Sequence, residues 1–202
     1  MNQRVLVNIG QLVLLNILYI ITMVLSVGIL IIPATSTLFL FIKAIGEKKH
    51  DPYSVFQTYF RTLINQTKKM GSLSFIMVII IVVCLINLSN INFFNYSPFI
   101  KNIVYYTWLI IIIELVLTMI VSSFLIAYFD FSSKKDLLKM SFYLIHRHII
   151  HTIIVLILLL VFGYLIVGIS YFLILCMFSI LFYLIDKLYL PLCSKYIVKR
   201  EV

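Results

Sequence analysis

The sequence predicts an all-α polytopic membrane protein, a six-helix transmembrane bundle with interfacial amphipathic helices on the cytoplasmic side. Composition, run length and charge placement carry that reading. Of the 202 residues, 63% are hydrophobic and 11% charged, against about 25% charged in an average soluble domain. Mean hydropathy is +1.16. These values exclude a soluble globular domain, a disordered tail and a disulfide-stapled secreted scaffold. A spanning helix takes about 20 apolar residues, so six spans leave no room for a folded extramembrane domain.

Run lengths place the elements. Val5 to Ile42 carries no charge, too long for one span and suited to two, at 6–26 and 29–45. Ser26, Val27 and Gly28 offer the turn. Pro33 would kink or break the outer end of the second span, and a re-entrant hairpin competes with full crossing over 29–45. An amphipathic helix follows at 52–66, with Asp51 as N-cap and Pro52 at the first helical position. Phe56, Tyr59, Phe60, Leu63 and Ile64 share one face, so it is expected to lie in the headgroup plane. The third span is 70–88, an aromatic loop occupies 89–101, and the fourth span is 102–128. A second amphipathic helix at 133–147 is capped by Ser132 or Ser133. The fifth and sixth spans are 149–166 and 171–190, with a turn near Gly168–Ser170.

Charge placement orients the chain. Sixteen Lys and Arg face seven Asp and Glu, for a net charge of +9. Segments 43–70, 130–148 and 187–202 hold six, four and four Lys/Arg, whereas the segments between them hold only Lys101. Cytoplasmic loops carry such an excess, so both termini are expected in the cytoplasm and the protein in the cell membrane. The first segment is expected to be a retained span, its apolar core being too long for a signal peptide. The basic loops would attract anionic lipid headgroups, and nucleic acid is not an expected partner.

Polar residues inside apolar runs are the site candidates. Glu114 lies near the middle of the fourth span, where a charge is expensive unless protonated, paired or wet. Thr107, Thr118 and Ser122 fall roughly on its face. The first span carries a polar stripe of Asn8, Gln11, Tyr19, Thr22 and Ser26, with Asn16 close by. Glu114, Thr118, Asn16 and Gln11 form the candidate intramembrane polar site: a proton, cation or polar-ligand site, or ordinary interhelical hydrogen bonding. If the first span faces the fourth, Asn16 and Glu114 meet. His146, His148 and His151 invite a metal, but only His148 and His151 share a helical face and no Cys or carboxylate adjoins them, so they are expected as interfacial histidines. Cys84, Cys176 and Cys193 are expected as buried thiols. The sequence lacks GxxxxGK[ST], HExxH and GxSxG, so no catalytic, metal or cofactor site is expected and the protein is not expected to be an enzyme.

The stretch LSVGILIIPATSTLFLFIKAIGEKKHDPYSVFQTYFRTLINQTKK, residues 25–69, combines an apolar turn, Pro33-Ala34-Thr35 in the second span, a basic connector and an aromatic helix ending near Asn65. It resembles the YesL-like family of bacterial integral membrane proteins. In that family Thr-Ile-Gly precedes the Pro-Ala, where this chain has Leu30, Ile31 and Ile32. The resemblance implies a protein encoded near carbohydrate ABC importers, and no catalytic residue carries over from it. The expected function is therefore an accessory or scaffold subunit of such an importer. Its partners would be membrane lipids and importer permeases, and Phe56, Tyr59, Phe60 and Arg61 would form the docking face. A homo-oligomer is compatible with this. The alternative is a small transporter or channel for a polar solute using Glu114 and the polar stripe.

Overall fold

The computed structural model describes residues 3–46, 55–93, 96–168 and 174–193. The Asp51–Pro52 start signal, Lys48, Lys49, Phe94, much of the Gly168–Ser170 turn and the basic tail from 194 lie outside the described residues, as do the side chains of Asn8 and Cys176. Seven helices account for most of the rest: α1 Gln3–Leu25, α2 Ile31–Gly46, α3 Val55–Ser89, α4 Pro98–Tyr128, α5 Lys134–Arg147, α6 Ile149–Gly168 and α7 Ile174–Cys193. No strand occurs among the described residues. Among the described residues, three stretches are long and apolar enough to cross a membrane: Val55–Phe93, Pro98–Tyr128 and Ile149–Gly168.

The turn between α1 and α2 follows from its residues. Val27 and Gly28 both adopt left-handed backbone, with φ of 50° and 76°. The Gly28 amide donates to the Met23 carbonyl at 2.9 Å, closing the end of α1. Nothing lies within 4 Å of where a Gly28 Cβ would sit, so a side chain there meets a backbone penalty and no clash. Gly28→Ala is expected to cost about 1–2 kcal/mol, read as a lower thermal midpoint in detergent with unchanged oligomeric state.

Pro33 does not break α2. It sits in the first turn, where its missing N–H has no helical partner to lose, and its carbonyl accepts from the Thr37 hydroxyl at 2.8 Å. The 16 residues of α2 reach about 24 Å, short of the roughly 30 Å hydrocarbon core. α2 is nonetheless the centre of the bundle, packing on α1, α3, α4 and α7. Phe39 is fully buried, with its ring 5.6 Å from that of Phe124 and 5.2 Å from that of Phe182.

α3 departs from expectation. The amphipathic segment 52–66 and the span 70–88 are one rod of 35 residues from Val55, about 52 Å long, rather than an interfacial helix followed by a separate span. The reason is a single buried stripe that runs through the junction at helical spacing: Tyr59, Leu63, Gln66, Met70, Leu73 and Met77. The one candidate breaker, Gly71, is tolerated at about 1 kcal/mol; its bare Cα faces the Thr67 methyl, 3.2 Å from an ideal Cβ position.

α4 also starts earlier than expected, at Pro98 rather than 102. Ser97 caps it and Pro98 fills the first turn, the Ser-Pro arrangement that helix starts favour. A single 3₁₀ turn, Asn90–Phe93, ends the approach from α3. α5 starts after Ser133, whose side chain accepts from the Asp136 amide, so Ser133 is the cap of the two serines considered. α5 does not stand apart from the bundle. It doubles back along α4, with the hydroxyls of Ser141 and Ser122 hydrogen-bonded at 2.8 Å and Leu137 and Leu144 fully buried.

Candidate functional site

The polar residues singled out above separate into distinct contacts. On α4, Glu114 faces the end of α5. Its Oε1 lies 3.8 Å from His146 Nδ1, beyond hydrogen-bond range, and that nitrogen is 2.9 Å from the Phe142 carbonyl. Glu114 Oε1 is itself buried and has no hydrogen-bond partner among the described residues. One turn on, the Thr118 hydroxyl donates to the Glu114 backbone carbonyl at 2.8 Å, so Thr118 serves the helix rather than the carboxylate.

Asn16 is not brought to Glu114. It is fully buried against α7, where its Oδ1 accepts from the Ser179 amide at 2.9 Å and the Ser179 hydroxyl at 3.0 Å. Gln11 is buried on the same helix. Tyr19 and Thr22 of the α1 stripe are spent across other interfaces. The hydroxyls of Tyr19 and Thr35 share a hydrogen bond at 3.1 Å, and those of Thr22 and Tyr59 share one at 3.2 Å. These ties join α1 to α2, α3 and α7. The pairing of a first-span residue with Glu114 is therefore replaced by pairing with helices that only the packing could choose.

The expected docking face is divided too. Tyr59 is fully buried, whereas Phe56 is 61% exposed and Arg61 is exposed. Phe60 is half-buried, with its ring 4.9 Å from Phe56 and 5.6 Å from Tyr59. Only Phe56 and Arg61 fully face outward. Of the histidines, His146 lies over Phe142 at 4.0 Å, and the rings of His148 and His151 are 5.9 Å apart, edge to face. Among the described residues no group of three or more His, Cys, Asp or Glu is placed to hold a metal.

Asp186 is an isolated carboxylate near the end of a long apolar segment. The fold buries it to 6% exposure with the Tyr128 hydroxyl hydrogen-bonded to its carboxylate and Lys43 nearby. Lys43 Nζ in turn sits 5.0 Å over the Tyr128 ring. Asp186 thus ties α4 to α7 at one end of the bundle, and Tyr128 in turn receives Lys43 of α2 on its ring. Its sequence signal was an isolated carboxylate in a long apolar segment; its partners lie on other helices.

At the start of α5, the Ser133 hydroxyl accepts from the Asp136 amide at 3.1 Å and donates to Asp136 Oδ2 at 2.7 Å, and Ser132 donates to the same oxygen at 3.2 Å. These hydroxyls hold the Asp136 carboxyl below its usual value. A lowered pKa means the contribution is present above the unfolded value of about 3.9 and lost as pH falls through the folded one. Ser133→Ala is expected to cost about 1 kcal/mol. Its deficit against wild type should be present at neutral pH and shrink below about pH 4, as followed by circular dichroism of the detergent-solubilised protein. A deficit unchanged by pH would remove the carboxylate from the cap.

A cavity of about 330 Å³ lies between six helices. Tyr19, Thr35, Val78, Met119, Leu159 and Phe182 are among its walls. The Tyr19 and Thr35 hydroxyls are hydrogen-bonded to each other, and the Ser123 hydroxyl, also at the wall, donates to the Met119 carbonyl at 2.7 Å. The lining therefore presents hydrocarbon.

Residues 12–88 match the profile of a family described as Protein of unknown function, DUF624. YesL-like proteins belong to that family. The matched stretch, less than half of the chain, contains the whole 25–69 segment and covers most of α1, all of α2 and nearly all of α3. No curated protein and no solved structure matches the chain.

Proposed function

We propose that the protein is an integral membrane accessory or scaffold subunit of a carbohydrate ABC-type importer, with no ATPase or catalytic activity of its own. In this reading it crosses the cell membrane six times with both termini in the cytoplasm. The observation that carries the scaffold role is the state of α6. This helix packs on α5 and α7, buries only Thr152 and Val155, and leaves Ile150, Ile153, Ile157 and Leu160 exposed. A helix so lightly held by the described residues has surface to give to another membrane subunit. Asn16, Tyr19 and Thr22 of α1, by contrast, are turned inward and spent on tying the bundle, which suits a rigid scaffold. The importer assignment is supported by the YesL-like character of residues 25–69.

The test is purification of the tagged protein at native expression in mild detergent, with mass spectrometry of what accompanies it. Importer permease or ATPase subunits are expected in stoichiometric amount. Recovery of the protein alone would defeat the reading.

One observation favours transport of a polar solute or proton as the second reading: the buried Glu114 Oε1 beside His146. A carboxylate oxygen left without a hydrogen bond is costly and marks a place where a proton or cation would be welcome. Uptake or conductance by vesicles containing the purified protein, abolished by Glu114→Gln, is the outcome this reading requires. Equal signals from Glu114→Gln and wild type would remove it.

A further inference from the structure

The cavity between α1, α2, α3, α4, α6 and α7 is not explained by a scaffold role. Its volume, about 330 Å³, falls in the range of ligand sites. Water is a poor occupant, since a buried water needs two to four polar partners and these walls offer few: the Tyr19 and Thr35 hydroxyls bond each other and the Ser123 hydroxyl donates to a helix carbonyl. An empty hole is a poor state as well, because its lining loses dispersion contacts outright. The rim gives access to hydrocarbon. Val82 of α3 is 46% exposed, and Gly28 puts no side chain over the gap. Val82 belongs to one of the three stretches long and apolar enough to span, so the fluid at this rim is lipid.

We propose that this cavity is a binding site for one acyl chain of a membrane lipid, admitted past Val82 and Gly28 and seated against Met119, Leu181 and Phe182. The site selects hydrocarbon by shape and by the apolar side chains that make up nearly all of its walls. It is independent of the importer assignment, and either can fail without the other.

The experiment uses the full chain in phosphatidylethanolamine vesicles containing phosphatidylglycerol with a diazirine in one acyl chain. After photolysis, labelled residues are mapped by mass spectrometry. Met119 and Leu181 are 2% and 5% exposed, so label on them reports a chain inside the bundle, whereas Ile110, 64% exposed, reports general lipid contact. Label is expected at all three in wild type. In the cavity-filling variants Ser123→Leu and Val116→Phe it should disappear from Met119 and Leu181 and persist at Ile110. Label confined to Ile110 in wild type, or retained at Met119 in both filled variants, would overturn the proposal. A second measurement guards against misfolding. Delipidated wild type should gain thermal stability when phosphatidylglycerol is added back, and each filled variant should gain less. An equal gain in all three proteins counts against the site.

Discussion

Phe39→Ala is expected to lower the stability of the bundle by about 3 kcal/mol. In soluble cores this truncation costs roughly 3–5 kcal/mol, part transfer and part cavity. In a bilayer the transfer part shrinks, because lipid tails are as apolar as the protein interior. What remains is packing, and Phe39 has much of it to lose. It is fully buried at the centre of α2 and meets Phe124 of α4 and Phe182 of α7 edge to face. Phe39→Leu, which keeps most of the volume, should cost less than about 1.5 kcal/mol. Reversible unfolding in mixed detergent micelles measures both. An alanine variant as stable as wild type would mean that α2 is not the helix on which the others pack.

Tyr59→Ala and Phe56→Ala should behave in opposite ways although the two residues are neighbours on one amphipathic helix. Tyr59 is fully buried, its hydroxyl bonded to Thr22 and its ring 6.1 Å from that of Phe41. Its removal strips both packing and a hydrogen bond and should cost about 3 kcal/mol. Tyr59→Phe isolates the hydroxyl and should cost about 0.6 kcal/mol, the average for interhelical hydrogen bonds in membranes. Phe56→Ala touches an exposed ring and should change stability by less than about 0.5 kcal/mol. If this end of α3 docks an importer subunit, Phe56→Ala reduces the partner recovered on purification while leaving the unfolding midpoint in place. Full partner recovery with Phe56→Ala would move the docking face elsewhere, α6 being the next surface to test.

The site residues illustrate how far a sequence can be read in a membrane protein. Ser133 was legible because a cap acts within one turn of its own helix, and the serine, the acid three residues on and the apolar stripe behind them are contiguous. Ser97–Pro98 carried the same kind of signal, hidden among the Asn and aromatic residues of 89–101. The partner of Asn16 was not legible. Ser179 lies 163 residues away, and any polar group at the right depth would have served equally well on paper. Asp186 shows the same blindness from the other side: an acid at the end of an apolar run announces nothing until Tyr128 and Lys43 are brought to it.

Composition and charge alone determined that the chain is a helical membrane protein and where its apolar runs begin and end. Those properties depend on transfer from water to hydrocarbon, which each segment undergoes on its own. Only the tertiary structure decided that the amphipathic stretch from Val55 is continuous with the apolar stretch after it, that α5 folds back on α4, that Asn16 serves α7 rather than Glu114, and that a cavity opens beneath Gly28. In a bilayer, an apolar face is equally at home against lipid and against another helix. Hydropathy therefore locates a span but is silent on its neighbours. Those are chosen by shape and by a few buried hydrogen bonds, which exist only once the helices have packed.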